Sequence, residues 1–116
     1  MSLQLGKPRE ELAAWHGQPI FDPMDEVHDM ADTAAIMENL DLIISVDTST
    51  AHLAGGLARP VWMVSRWDAC WRWGDDGEST PWYPTMRIFR SQERSFKPVL
   101  AQVGAALREW CKNWRA

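Results

Sequence analysis

The chain has 116 residues, 46% of them hydrophobic, and a formal net charge of -4. That length and composition suit one small globular domain, and the acidic balance disfavours non-specific nucleic-acid binding. No apolar run reaches the length of a membrane span, no signal peptide is read at the start, and Cys70 and Cys111 stand in no metal or redox spacing, so a reducing cytoplasm is the expected setting.

Taken in order, Ser2-Leu3-Gln4-Leu5 reads as a short strand, provided that Met1–Leu3 are native. Pro8 suits a first helical turn, Glu10 and Glu11 suit its positive end, and Gly17 with Pro19 stops the helix. Leu12, Trp15 and His16 would share its face. Ile20-Phe21 is a second short strand, and the acid-rich stretch 22–31 a surface loop. Asp32 is expected to cap a helix over Thr33–Leu40, with Ile36, Met37 and Leu40 on one face.

The most informative stretch follows. Leu42-Ile43-Ile44-Ser45-Val46 reads as a buried strand, Asp47-Thr48-Ser49-Thr50 as a tight turn, and Ser49–Ala58 as a helix capped by Thr48 or Ser49. Such a helix start aims free N–H groups and a positive dipole end at whatever lies above the strand, a position suited to phosphate. It is equally the form of an ordinary strand–helix junction. Two adjacent glycines, Gly55 and Gly56, cost a helix about 2 kcal/mol against alanines. They make sense where the helix must lie close against the sheet or a ligand.

Arg59-Pro60 ends this helix and Val61–Val64 is a strand. Residues 65–85 show no period, yet carry Trp67, Trp71, Trp73, Trp82 and Tyr83, an aromatic content that argues for order. Trp62 and Trp82 are read as core. Trp71 and Trp73 are either core or a stacking surface for a base or sugar, and Arg72 either meets phosphate or stays solvated. Asp75, Asp76 and Glu78 form a plain acidic turn. Met86–Phe89 is another strand. Ser95 caps a final helix over 96–112, whose stripe runs through Phe96, Val99, Leu100, Val103, Leu107, Trp110 and Trp114.

Alternating strands and helices predict an α/β fold: three layers, a mainly parallel sheet of four or five strands, and helices on both faces. Ligands of such sheets bind at the carboxyl ends of the strands, so the Asp47–Thr50 turn and the Trp-rich loop should share one rim. His52 is either a satisfied buried histidine or a ligand group, and Asp47 either a ligand contact or a turn residue. The oxygen ligands are too scattered to suggest a metal site, and no cofactor is expected.

Asp32-Thr33-Ala34-Ala35, Leu40 to Ser49, His52-Leu53-Ala54-Gly55 and Arg59-Pro60-Val61-Trp62 together resemble the carboxyl-terminal domain of bacterial glycosyltransferases of the heptosyltransferase type. Trp71-Arg72-Trp73 and Pro81 to Arg87 resemble a subgroup in which this domain follows tetratricopeptide repeats. The resemblance implies half of a GT-B architecture, with a Rossmann-like domain holding a nucleotide-diphosphate sugar and no metal in the donor site. It places Asp47 near the donor sugar or its phosphates, Thr48, Ser49 and Thr50 at the diphosphate, and His52 at the same helix start. Gln4, Trp71, Arg72 and Trp73 are candidates for further donor contacts, with the alternatives given above for the last three still open. Departure of a nucleoside diphosphate builds negative charge, which oriented N–H groups stabilise without moving.

The family's additional strand and basic loop, its acceptor-binding domain and the carboxylate base expected there are not found in these residues. The chain is therefore expected to be one nucleotide-sugar-binding domain over residues 1–116, a fragment of a larger enzyme, with no catalytic residue of its own and inactive alone. Its partners would be a nucleotide-diphosphate sugar, the amino-terminal acceptor domain, and a second copy covering the sheet edge left by the missing strand. Two alternatives differ in class. A non-catalytic nucleotide-binding or protein-interaction module would keep the fold and lose the donor. An aspartic protease would use the apolar run ending in Asp47-Thr48-Ser49-Thr50 within an all-β dimer.

Overall fold

The computed structural model describes residues 1–4, 17, 20–68 and 77–114. The expected helix after Pro8, and the positions of Trp71, Arg72, Trp73, Asp75 and Asp76, lie outside these. The chain divides into two compact units, Met1–Ile36 and Met37–Ala116.

In the first unit, residues 2–4 and 20–21 are not strands. They share a backbone hydrogen bond, from the Ser2 N–H to the Phe21 carbonyl at 2.8 Å, without extending it into a ladder. A 3-10 turn at Met24–Glu26 precedes α1, Met30–Met37. This helix starts earlier than the sequence predicts because Asp29 and not Asp32 caps it, and it ends at Met37 and not Leu40. The Asp29 carboxylate accepts the Asp32 N–H at 3.0 Å, and the Asp32 carboxylate reaches back to the His28 N–H at 2.8 Å. This reciprocal pattern satisfies two donors around the helix start, in the manner of a capping box.

The second unit is an α/β domain. Its elements are β1 (Ile43–Val46), α2 (Ser49–Gly56), β2 (Val61–Ser65), β3 (Met86–Arg90) and α3 (Lys97–Asn113). The sheet is wholly parallel, in the order β1-β2-β3, with Ile43 opposite Val61 and Val61 opposite Met86. Among the described residues it has three strands, fewer than the four or five predicted, since residues 2–4 and 20–21 form no strand.

Every residue of β2 is buried, as befits a strand with a ladder on each side and apolar cover on both faces. One face presents Trp62, Val64 and Phe89 to Val99 and Val103 of α3, with Leu42, Phe96, Ala106, Leu107 and Trp110 packed around them. Full burial of each large side chain there contributes about 1.5–3 kcal/mol. The other face carries Val61, Met63, Met86 and Ile88, also buried. α2 packs on β1 and β2, and within β1 only Ile43 is buried while Ile44 and Val46 are exposed, so α2 covers the Ile43 face. At the outer side of β3 the Ile88 N–H donates to the Glu78 carbonyl at 2.7 Å, Arg90 bonds the Gly77 carbonyl, and Arg87 pairs with the Glu78 carboxylate. Residues 77–78 therefore run beside that edge.

Two expectations about α3 are refined. Its start is set by Phe96, with the Ser95 hydroxyl accepting the Lys97 N–H at 3.2 Å. Its stripe is narrower than predicted, since Leu100 and Trp114 are exposed. Trp62 is core, as expected, but Trp82 is 54% exposed. Trp82 sits in a turn whose N–H is taken by the Thr80 hydroxyl, and that turn directs the ring outward. No helix among the described residues is long and apolar enough to cross a membrane.

α2 ends in a Schellman motif. The Arg59 N–H bonds the Ala54 carbonyl and the Ala58 N–H bonds the Gly55 carbonyl, which puts Ala58 at a φ of 56°. That left-handed position strains an L-residue with a Cβ, and glycine relieves the strain at the cost of a freer unfolded chain. Ala58→Gly should raise stability by about 0.5–1 kcal/mol, the difference of these two effects. Urea unfolding should show it as a higher midpoint with an unchanged slope.

Candidate functional site

In an all-parallel sheet the carboxyl ends of the strands lie along one edge. The turn after β1, the Arg66–Asp68 turn after β2 and the segment after β3 consequently share a rim, and a 2.9 Å bond from the Ser91 N–H to the Ser65 carbonyl ties the last two together. α2 starts at this rim and runs back along the sheet. Its opening is built by short polar residues. Thr48 stands at the cap position in extended backbone, but contrary to expectation neither its hydroxyl nor that of Ser49 caps the helix. The Thr48 hydroxyl lies 3.3 Å from the Ser45 hydroxyl, which itself donates to the Val46 carbonyl.

The Thr48 carbonyl accepts the N–H groups of Ala51 and His52, so those of Ser49 and Thr50 come before the first intrahelical bond. Ser49 is exposed and Thr50 half-buried. At such a solvated helix start the dipole alone contributes about 0.3–1 kcal/mol to an anion. Each hydrogen bond to a charged group contributes about 1.5–3 kcal/mol, so direct N–H contacts would dominate anion binding here.

Asp47 and His52 meet across the turn, with His52 Nε2 3.6 Å from Asp47 Oδ1 and each side chain 30% exposed. The other ring nitrogen, Nδ1, is 2.9 Å from the Tyr83 hydroxyl. Tyr83 lies in the Pro81–Arg87 stretch of the resemblance, but the sequence assigns it no role at the site. It is held by close packing: a Cβ added to Gly55 would stand 2.5 Å from Cγ of the Tyr83 ring. Gly56 has no such neighbour. The close approach that the paired glycines suggest is thus made by Gly55 alone, and the partner is the tyrosine ring. From Gly55 the ring reaches along α2 to His52, with the two rings edge to face at 5.8 Å.

The structure therefore gathers Asp47, Thr48, Ser49, Thr50 and His52 at one turn and adds Tyr83. Gln4 is exposed and belongs to the first unit, where its N–H donates to the Ser2 hydroxyl. Glu78, expected as plain acidic surface, pairs with Arg87, whose guanidinium also lies over the Phe89 and Trp62 rings at 4.5 and 5.6 Å.

Fold and site together define an α/β domain with a polar strand–turn–helix site at the carboxyl rim of a parallel sheet. The chain is similar to the protein FlbA of Caulobacter vibrioides, at 32% identity over 119 aligned positions that take in 97% of this chain. It spans about a fifth (20%) of the length of that curated relative. No family model and no solved structure matches the chain.

The packing at Gly55 gives a double-mutant test. Gly55→Ala should destabilise the protein by about 1–3 kcal/mol, the usual range for overpacking. In a Tyr83→Ala background the clash is gone and the higher helix propensity of alanine remains, so the same change should become neutral or stabilising. Chemical denaturation of the four proteins measures this change of sign.

Proposed function

We propose that this chain is the donor-binding domain of a metal-independent GT-B glycosyltransferase of the heptosyltransferase type, of the subgroup associated with tetratricopeptide repeats. On this reading the second unit is part of a three-layer Rossmann-like half, and a nucleotide-diphosphate sugar binds at the Asp47–Thr50 turn. The observation that carries the proposal is the placement of the α2 start directly after the carboxyl end of β1 in a parallel sheet. Doubly wound sheets take their ligands at that end, and a helix N-terminus is suited to phosphate.

The Ser49 and Thr50 N–H groups would hold the diphosphate, with the Thr48, Ser49 and Thr50 hydroxyls around it. Asp47 would accept from a sugar hydroxyl, and His52 would stand at the edge of the same turn. Trp71, Arg72 and Trp73 remain candidate donor contacts under this proposal. The helix that follows Asp47-Thr48-Ser49 supports this reading over an aspartic protease, whose corresponding loop belongs to an all-β fold. A non-catalytic interaction module with the same fold draws support from the exposed Ile44 and Val46 on β1. Ligand binding separates it from the donor domain.

The test is a calorimetric titration with ADP, GDP, CDP and UDP and the corresponding nucleotide sugars. One of them should bind, and at a hundred times its dissociation constant should stabilise the fold by about 2.7 kcal/mol. Ser49→Glu places a carboxylate where the phosphate sits and should abolish the binding, while unchanged affinity would remove the site from that turn. No member of the panel binding would favour the interaction module.

The chain alone should transfer no sugar, even with donor bound. Transfer needs an acceptor aligned with the anomeric carbon and a base to take its proton, and the proposal puts both on the other half of the enzyme. An assay with purified acceptor checks this. Joined to that half, the chain should regain transfer, and Asp47→Ala should lower it without unfolding the protein.

A further inference from the structure

We infer that Tyr83 is a positioning residue for the candidate site: its hydroxyl fixes the His52 imidazole in one orientation and one tautomer, with the Nε2 proton turned toward Asp47. Three observations carry this. Nδ1 of His52 is within hydrogen-bond distance of the Tyr83 hydroxyl, at 2.9 Å. Nε2 lies on the Asp47 side, 3.6 Å from Oδ1. The Tyr83 ring is itself held, packed so closely on the Gly55 backbone that no side chain fits between them.

The chemistry of the Asp47 carboxylate and the Tyr83 hydroxyl bears on the proton's place. An ionised carboxylate can only accept, whereas a phenol hydroxyl can donate or accept. At 3.6 Å Asp47 is beyond a direct hydrogen bond, yet close enough for its charge to favour a proton on the near nitrogen. With the proton on Nε2, Nδ1 carries a lone pair and the Tyr83 O–H donates to it. The tautomer of a histidine is set by the bond that its other nitrogen makes, and here that bond comes from a side chain 31 positions away. The neutral imidazole then presents an N–H donor at the mouth of the turn. That donor would serve an incoming phosphate or sugar oxygen; this last step rests on the donor-site reading, whereas the positioning does not.

Nitrogen-resolved NMR of the ligand-free, full chain with ¹⁵N-histidine tests the positioning, at a pH where His52 is neutral. The wild type should show a pyrrole-type Nε2 and a pyridine-type Nδ1, as a single species. Tyr83→Phe keeps the ring on Gly55 and removes only the hydroxyl, so the fold and its melting temperature should change little. Its His52 signals should move toward the average of two exchanging tautomers. If Tyr83 were merely packing, Tyr83→Phe would leave the His52 signals where they are, and that result would overturn the inference. So would a wild type with its proton on Nδ1, or one already averaging both forms.

A titration of the same sample with ADP, GDP, CDP and UDP keeps the two readings apart. Signals at His52 that ignore all four count against the donor site and leave the tautomer result standing. A shift on binding that is lost in Tyr83→Phe, together with a several-fold weaker affinity, would support both.

Discussion

The hydrogen at Gly55 is the constraint from which the site's geometry follows. Because no Cβ stands there, the Tyr83 ring lies against the α2 backbone, closer than any side chain would permit. That contact delivers a hydroxyl to His52, which faces Asp47 on its other side. One absent methyl therefore couples the loop before β3 to the turn after β1. α2 gives up helix propensity for this, and in exchange gains a half-buried aromatic partner on a helix that otherwise offers only small residues to the sheet: Ala51 and Ala54 are fully buried.

The electrostatic character of the turn is mixed. α2 supplies a positive end, the hydroxyls of Ser45 and Thr48 form a local pair, and Asp47 adds a negative charge next to them. A site meant for phosphate alone would gain nothing from that carboxylate, which repels an anion. The proposed donor, which bears both phosphates and hydroxyls, would set the phosphates on the N–H groups and a hydroxyl on the carboxylate. Across the sheet the chemistry is different: there Arg87 lies over two aromatic rings and pairs with Glu78, which closes the α3 face of the core with a cation whose partners are in place.

Much of this was legible in the residues. Apolar runs for β1 and β2, bounded by Asp, Pro and Ser, and the alternation of β3 place these strands within a residue of their observed ends, and the apolar stripe places α3 equally well. The polar turn was legible too, because strand, turn and helix start are all local features. What was not legible depends on contacts distant in sequence, or on a choice between similar local options. Asp29 and Asp32 both satisfy the residue preferences of a cap, and only the bonds they make decide between them. Trp82 and Trp62 look alike by composition, but one lies in a fully buried strand and the other in a turn. The value of Gly55 was visible as a cost without a recipient, since nothing in the local sequence connects it to Tyr83.

The order of the strands in the sheet is their order in the chain. A polypeptide emerging from its amino end can close the β1–α2–β2 unit as soon as Ser65 is available, with no wait for a distant strand to be inserted between them. Tyr83 arrives afterwards, with β3 still to come. The site thus joins a turn that is local to the β1–α2–β2 unit with an aromatic clasp contributed from outside it, by the segment that leads into the strand covering the other edge of β2.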